Sequence, residues 1–137
     1  MRFIDREFEM RILEEAKKRS KRKLYTLVVY GLRRVGKTRL LLEFLGEKDL
    51  YFFVNRGKTS ESLLREYEEI LRKKGVITKY EHISTWDEFF EVLFERFNGV
   101  VVFDEFQDFQ RVEPSVFSTL QKFIAVSYTH LRAHETS

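Results

Sequence analysis

LYTLVVYGLRRVGKTRLLLEFLG, residues 24–46, is the stretch from which the fold is read. Its first eight residues, LYTLVVYG (24–31), are β-branched, aromatic and uncharged, the composition of a strand buried on both faces of a parallel sheet. Its last ten, KTRLLLEFLG, predict a helix from Lys37 with Gly46 at its C-terminal end. The junction, GLRRVGKT (31–38), satisfies the phosphate-loop pattern G-x-x-x-x-G-K-[ST] in the strand-then-helix setting that pattern needs. Gly31 and Gly36 permit backbone angles and a close approach that a Cβ would block. The N–H groups of Gly31, Leu32, Arg33, Arg34, Val35 and Gly36 can therefore turn inward around a phosphate held at a helix N-terminus. In this pattern Lys37 reaches the β- and γ-oxygens of ATP as a mobile point charge, and the Thr38 hydroxyl ligates Mg²⁺.

Working outward, DLYFFVN (49–55) is a second apolar strand, which completes a βαβ unit. Downstream, Leu63, Leu64, Tyr67, Ile70 and Leu71 recur at helical spacing over 60–74 and stop at Gly75. Thr85 and Glu88 form a capping box ahead of Trp86, Phe89, Phe90, Leu93, Phe94 and Phe97, a core stripe closed by Asn98 and Gly99. Pro114 opens a last helix with Val116, Phe117, Leu120, Phe123 and Ile124 on one face. Upstream, Asp5 caps a helix carrying Phe8, Ile12, Leu13 and Ala16, which runs into KKRSKRK (17–23), six basic residues in seven. That run suits either a solvated helix end, where cations meet the negative dipole, or a patch for nucleic acid or an acidic partner. Strands alternating with helices define an α/β fold.

VVVFDE (100–105) supplies the second half of the chemistry. Four apolar residues deliver Asp104 and Glu105 to the carboxyl end of a strand, where open α/β sheets place their ligands. Alone, two acids ending a strand would be ordinary polar residues. Beside a phosphate loop they divide the labour, Asp104 completing the Mg²⁺ shell opposite Thr38 and Glu105 orienting and deprotonating an attacking water. The predicted catalytic set is Lys37, Asp104 and Glu105, with Thr38 and Asp104 as metal ligands.

Composition bounds these readings. At 137 residues the chain suits one domain with a core, and 43% hydrophobic with 34% charged residues is a globular balance. No apolar run approaches the roughly 20 residues of a membrane span, so no membrane role is expected. With no cysteine there is neither a disulfide framework nor a thiolate metal site, and no export signal opens the chain. The expected compartment is the cytoplasm.

Residues 2–125 resemble the archaeal-type ATPases of the AAA+/STAND group of P-loop NTPases, through FIDREFEMRILEE, GLRRVGKTRLLLEF, YFFVNRGKTSESLLREYEEIL and VVVFDEFQDFQRVEPSVFSTLQKF. The resemblance implies a P-loop NTPase-type parallel sheet flanked by helices and an ATP-driven switch or motor using Mg²⁺. It also implies downstream winged-helix and nuclease-like domains that would engage a protein or nucleic-acid partner. By the same resemblance Ile4, Asp5 and Arg6 lie near the adenine. The family pattern further contains a sensor strand, an arginine finger and a helical lid, which 1–137 does not display, so the domain reads as truncated before them. That strand belongs between the phosphate-loop strand and VVVFDE; without it the two would stand about 9–10 Å apart with unpaired backbone groups facing the gap.

Three other functions are weighed against an ATPase. A non-catalytic nucleotide-dependent switch that recruits partners would tolerate loss of Glu105. A small-molecule kinase shares the phosphate loop, but the adjacent Asp104–Glu105 pair argues against an enzyme that must keep water out. A purely DNA-binding module would rest on 17–23 alone.

VSYTHLRAHETS (126–137) departs from the Glu/Lys-rich style before it and carries two of the chain's three histidines, His130 and His134. It is similar to the translation of a transposon-end sequencing adapter, which makes 126–137 a non-native tail on an ATPase-domain segment of 1–125. Two histidines at i and i+4 without a third ligand on that face make a poor metal site. Reading the source locus by an adapter-free route is expected to replace 126–137 with an apolar strand and further elements. Recovering the same codons followed by a stop codon would refute this.

Overall fold

The computed structural model describes residues 2–4, 25–29 and 37–123. The helix expected from Asp5, the basic run 17–23, the glycine loop 30–36, Ile124 and the tail 126–137 lie outside the described residues. Four strands form one parallel sheet: β1 (Arg2–Ile4), β2 (Tyr25–Val29), β3 (Leu50–Phe53) and β4 (Val100–Asp104), in spatial order β1-β2-β4-β3. The helices are α1 (Lys37–Phe44), α2 (Ser60–Lys73), α3 (Trp86–Arg96), a 3₁₀ turn (Phe106–Asp108), α4 (Phe109–Val112) and α5 over 115–123. The chain is thus an α/β fold with a parallel sheet flanked by helices, as its sequence implies.

Two features of the sheet correct the sequence reading. β2 and β4 do not stand apart across a gap; they pair directly from Tyr25↔Val100 to Val29↔Asp104. Two five-residue apolar strands match in length, and each buried N–H or C=O left unpaired would cost about 1–3 kcal/mol, so closing the ladder is the favourable arrangement. β4 therefore lies inside the βαβ unit, between β2 and β3. The second feature is β1, since Arg2–Ile4 pairs with β2 as a strand where only a helix start was expected.

Register sets the two faces of β4. Leu50↔Val101 and Phe52↔Phe103 share one face with α2, α3 and α5, and alternation leaves Val100, Val102 and Asp104 on the other. The covered face is an aromatic core. The Phe52 ring lies 4.6 Å from Tyr67, 5.1 Å from Phe103 and 5.3 Å from Phe89, centroid to centroid. Trp86 meets Tyr67 and Phe109 edge to face. Leu63, Leu64, Tyr67 and Leu71 from α2 and Phe89, Phe90 and Leu93 from α3 are buried, as their periodicity predicts, whereas Ile70, Phe94 and Phe123 only border the core.

Caps fix where the helices begin and end. Thr59 Oγ1 accepts the Ser62 N–H at the start of α2. Its end is a Schellman turn in which Gly75, at φ 76°, donates to the Arg72 carbonyl and Val76 donates to that of Leu71. Ahead of α3, Thr85 Oγ1 accepts the Glu88 N–H, and the Glu88 carboxylate reaches back to the Ser84 N–H, one residue beyond the expected capping box. Gly99, at φ 151°, enters β4 where a Cβ would stand 2.8 Å from the Phe97 ring, and the Val100 N–H donates to Asp49 Oδ1 at 3.1 Å.

Phe52→Ala is expected to destabilise the fold by about 3–5 kcal/mol, the usual cost of emptying a buried aromatic site. Leu42→Ala, at a half-exposed position of α1, should stay within about 0.5 kcal/mol. Urea unfolding of both variants checks the contrast.

Candidate functional site

All four strands end on one rung: Ile4 is level with Val29, Val29 with Asp104, and Asp104 with Phe53. That rung is the carboxyl edge of a parallel sheet, the place such sheets offer to ligands. The glycine loop is bracketed by described backbone, with Val29 closing β2 on the rung and α1 opening at Lys37. Leu42 of α1 and Leu45 just past its end line a cleft of about 360 Å³ together with Tyr51 of β3 and with Ile70 and Lys73 of α2. Lys37 and Thr38 are the first residues of α1, while their side chains and the residues Gly31, Leu32, Arg33, Arg34, Val35 and Gly36 lie outside the described structure. Ile4 is at the edge as a register position, and Asp5 and Arg6 lie outside.

Asp104 and Glu105 are brought together at this edge, in different surroundings. Asp104 is fully buried and its Oδ2 accepts the Tyr51 hydroxyl at 2.7 Å. Its carbonyl accepts the Val54 N–H, which holds the ends of β3 and β4 together. Burying a carboxylate is costly unless it meets donors or a cation. A hard oxygen donor fixed at the ligand-binding edge of the sheet fits Mg²⁺, which binds through one or two carboxylates plus substrate oxygens rather than an all-protein cage. The described residues contain no cluster of three His, Cys, Asp or Glu able to hold a metal.

Glu105 is 5% exposed and adopts φ 59°, ψ 44°, the left-handed region, the one non-glycine residue to do so among the described residues. The conformation ends β4 abruptly, and the Glu105 carbonyl then accepts the Asp108 N–H to start the 3₁₀ turn. The side chain is engaged as well, since Gln107 Nε2 donates to Glu105 Oε2 at 2.6 Å. Nearby, burial and then the Glu105 charge raise the Asp108 carboxyl above its ordinary range, with Arg56 and Arg111 acting in the opposite direction.

The segment after Glu105 is tied to the helical layer. Trp86 Nε1 donates to Ser60 Oγ at 2.9 Å, Ser60 Oγ donates to Glu113 Oε1 at 2.6 Å, and Ser115 Oγ also donates to Glu113. The Ser115 hydroxyl and then that of Ser60 hold the Glu113 carboxyl below its ordinary value. Tyr51, Gln107 and Glu113 carried no sequence signal of a role. A tyrosine in an apolar strand and polar residues after an acidic pair are common, and what they touch is set by the register for Tyr51 and by the turns after β4 for Gln107 and Glu113.

Comparison with known proteins agrees with this architecture. A family described as an ATPase domain predominantly from Archaea matches residues 3–134. An uncharacterized protein of Methanocaldococcus jannaschii, MJECL04, is 27% identical over 135 residues, which cover 98% of this chain and 28% of that one. No solved structure matches. No helix among the described residues is long and apolar enough to cross a membrane. With a match over almost its whole length, a parallel α/β sheet and a buried acidic edge, the chain belongs to the family of ATPase domains found predominantly in Archaea.

Proposed function

We propose that this domain binds Mg·ATP through Gly31–Thr38 and that the full-length protein containing it hydrolyses ATP to drive a conformational switch or motor of the AAA+/STAND kind in the cytoplasm. The observation that carries the reading is the common rung, which sets the end of β2 beside a buried carboxylate at the edge where parallel sheets bind ligands. In this reading the backbone N–H groups of Gly31, Leu32, Arg33, Arg34, Val35 and Gly36 cradle the phosphates and Lys37 orients the γ-phosphate. Thr38 and Asp104 hold the metal, and Glu105 positions water and accepts its proton. Bound Mg²⁺ would neutralise charge on the β- and γ-oxygens. Partner engagement belongs to regions beyond this chain, which spans 28% of its archaeal relative.

A second reading has its own support. Glu105 Oε2 is held by Gln107, an arrangement that also suits a non-catalytic switch in which the acid keeps a state rather than activating water.

Lys37→Ala is expected to abolish Mg·ATP binding in the full-length protein, since the γ-phosphate loses its principal side-chain cation. Titration with a fluorescent ATP analogue reads this directly, and unchanged affinity would remove the phosphate-loop assignment. Glu105→Gln should keep binding but lower steady-state phosphate release by about 10²–10⁴-fold, because an amide can hydrogen-bond water yet cannot take its proton. A wild-type rate would favour the switch.

A further inference from the structure

We infer that Tyr51 is a positioning residue that aims the Asp104 carboxylate at a divalent cation; the inference rests on the reading of Asp104 as a metal ligand. Backbone pairing fixes where Asp104 begins, but its side chain still has two rotatable bonds, and a ligand carboxylate must present the correct oxygen. The register supplies the means. Tyr51 pairs with Val102, two residues before Asp104 on the same face of the sheet. From there its hydroxyl reaches diagonally along the edge to Asp104 Oδ2. At 2.7 Å the bond has full hydrogen-bond length for a hydroxyl donor.

The ring is also held. It is half-buried on a paired strand and borders Leu42 and Leu45 at the far end of the helix that begins with Lys37 and Thr38. One side chain thus bonds to the acid and lines a cleft shared with Leu42 of that helix. Carboxylates that bind metals are themselves hydrogen-bonded by partners that set their orientation, and losing such a partner typically costs about 10–100-fold in metal affinity. A tyrosine donor can orient the carboxylate without neutralising it, which an arginine in the same place would do.

The test uses the full-length protein, titrating Mg²⁺ in the presence of a fluorescent ATP analogue and recording the Mg²⁺ concentration that gives half of the tight-binding signal. Tyr51→Phe keeps the ring and removes only the donor. It is expected to raise that midpoint by about tenfold or more, with affinity for the analogue in EDTA unchanged. In an Asp104→Asn background the same substitution should add nothing, because the tyrosine acts through that carboxylate.

A midpoint shifted by Asp104→Asn but not by Tyr51→Phe overturns this inference alone, even if Tyr51→Phe lowers the melting temperature, since the bond would then be structural. A midpoint unmoved by Asp104→Asn removes the underlying reading of Asp104. If Tyr51→Phe does not fold, fluorine NMR of 3-fluorotyrosine placed at position 51 in the otherwise unchanged chain provides the check. Adding Mg²⁺ to the nucleotide-bound protein should shift its resonance, and no shift overturns the proposal.

Discussion

The constraint on which the molecule depends is that β4 is dry along its whole length and paired on both sides, yet ends in a carboxylate. All five residues of Val100–Asp104 are buried, with β2 along one edge and β3 along the other. A central strand of this kind permits little slippage, because moving it by one residue would exchange Val101 and Phe103, which pack into the aromatic core, with Val100, Val102 and Asp104 on the opposite face. Once the register is fixed, the ends of four strands fall on one rung and the position of Asp104 is settled. The aromatic packing around Phe52, Tyr67 and Phe103 therefore has a consequence well away from itself, in holding an acid at the edge of the sheet.

The parts legible in the sequence were those with local causes. The helices over 60–74 and 86–96 declare themselves through apolar spacing, and their ends through Gly75, Thr85 and Glu88, whose roles need only near neighbours. The strands over 24–31 and 49–55 were recognisable from composition: Tyr25–Val29 is strand in the part of the first that is described, and Leu50–Phe53 is the strand within the second. Strand order was not legible. Which strand lies beside β2 depends on contacts some seventy positions apart, and the direct β2–β4 ladder displaced the expected gap. β1 escaped because three residues are too few to show a period.

The acidic edge was half legible. Asp104 and Glu105 could be singled out as a pair following an apolar run, but their partners could not. Tyr51 is 53 positions from Asp104, and Gln107, though close to Glu105, makes its contact only because the chain turns sharply. That turn was also invisible beforehand, since a left-handed residue is expected to be glycine, or else asparagine or aspartate, before glutamate. Holding a glutamate there costs on the order of 1–3 kcal/mol, and such strain persists only where the surroundings enforce it. The surroundings here are the end of a doubly paired strand and the 3₁₀ turn that begins at once, with Phe106 and Phe109 packed in the core.

The strain has a geometrical use. In a continuing strand, adjacent side chains point to opposite faces, so Asp104 and Glu105 would be separated by the thickness of the sheet. A left-handed residue breaks the alternation and re-aims the second acid, so two consecutive carboxylates can serve one edge. Their neighbours sharpen the difference: Asp104 accepts from a phenol on β3, and Glu105 from a carboxamide two residues ahead. These two donors are neutral, and each fixes a direction for the carboxyl group it meets. An arginine at either position would have formed a forked ion pair and consumed the charge locally. At the carboxyl edge of a parallel sheet, acids held in a set orientation lie where such sheets offer sites to ligands. In this arrangement the cost of the buried carboxylate and of the strained backbone is borne by the hydrophobic packing of β4, and the chemistry depends on that packing as directly as the fold does.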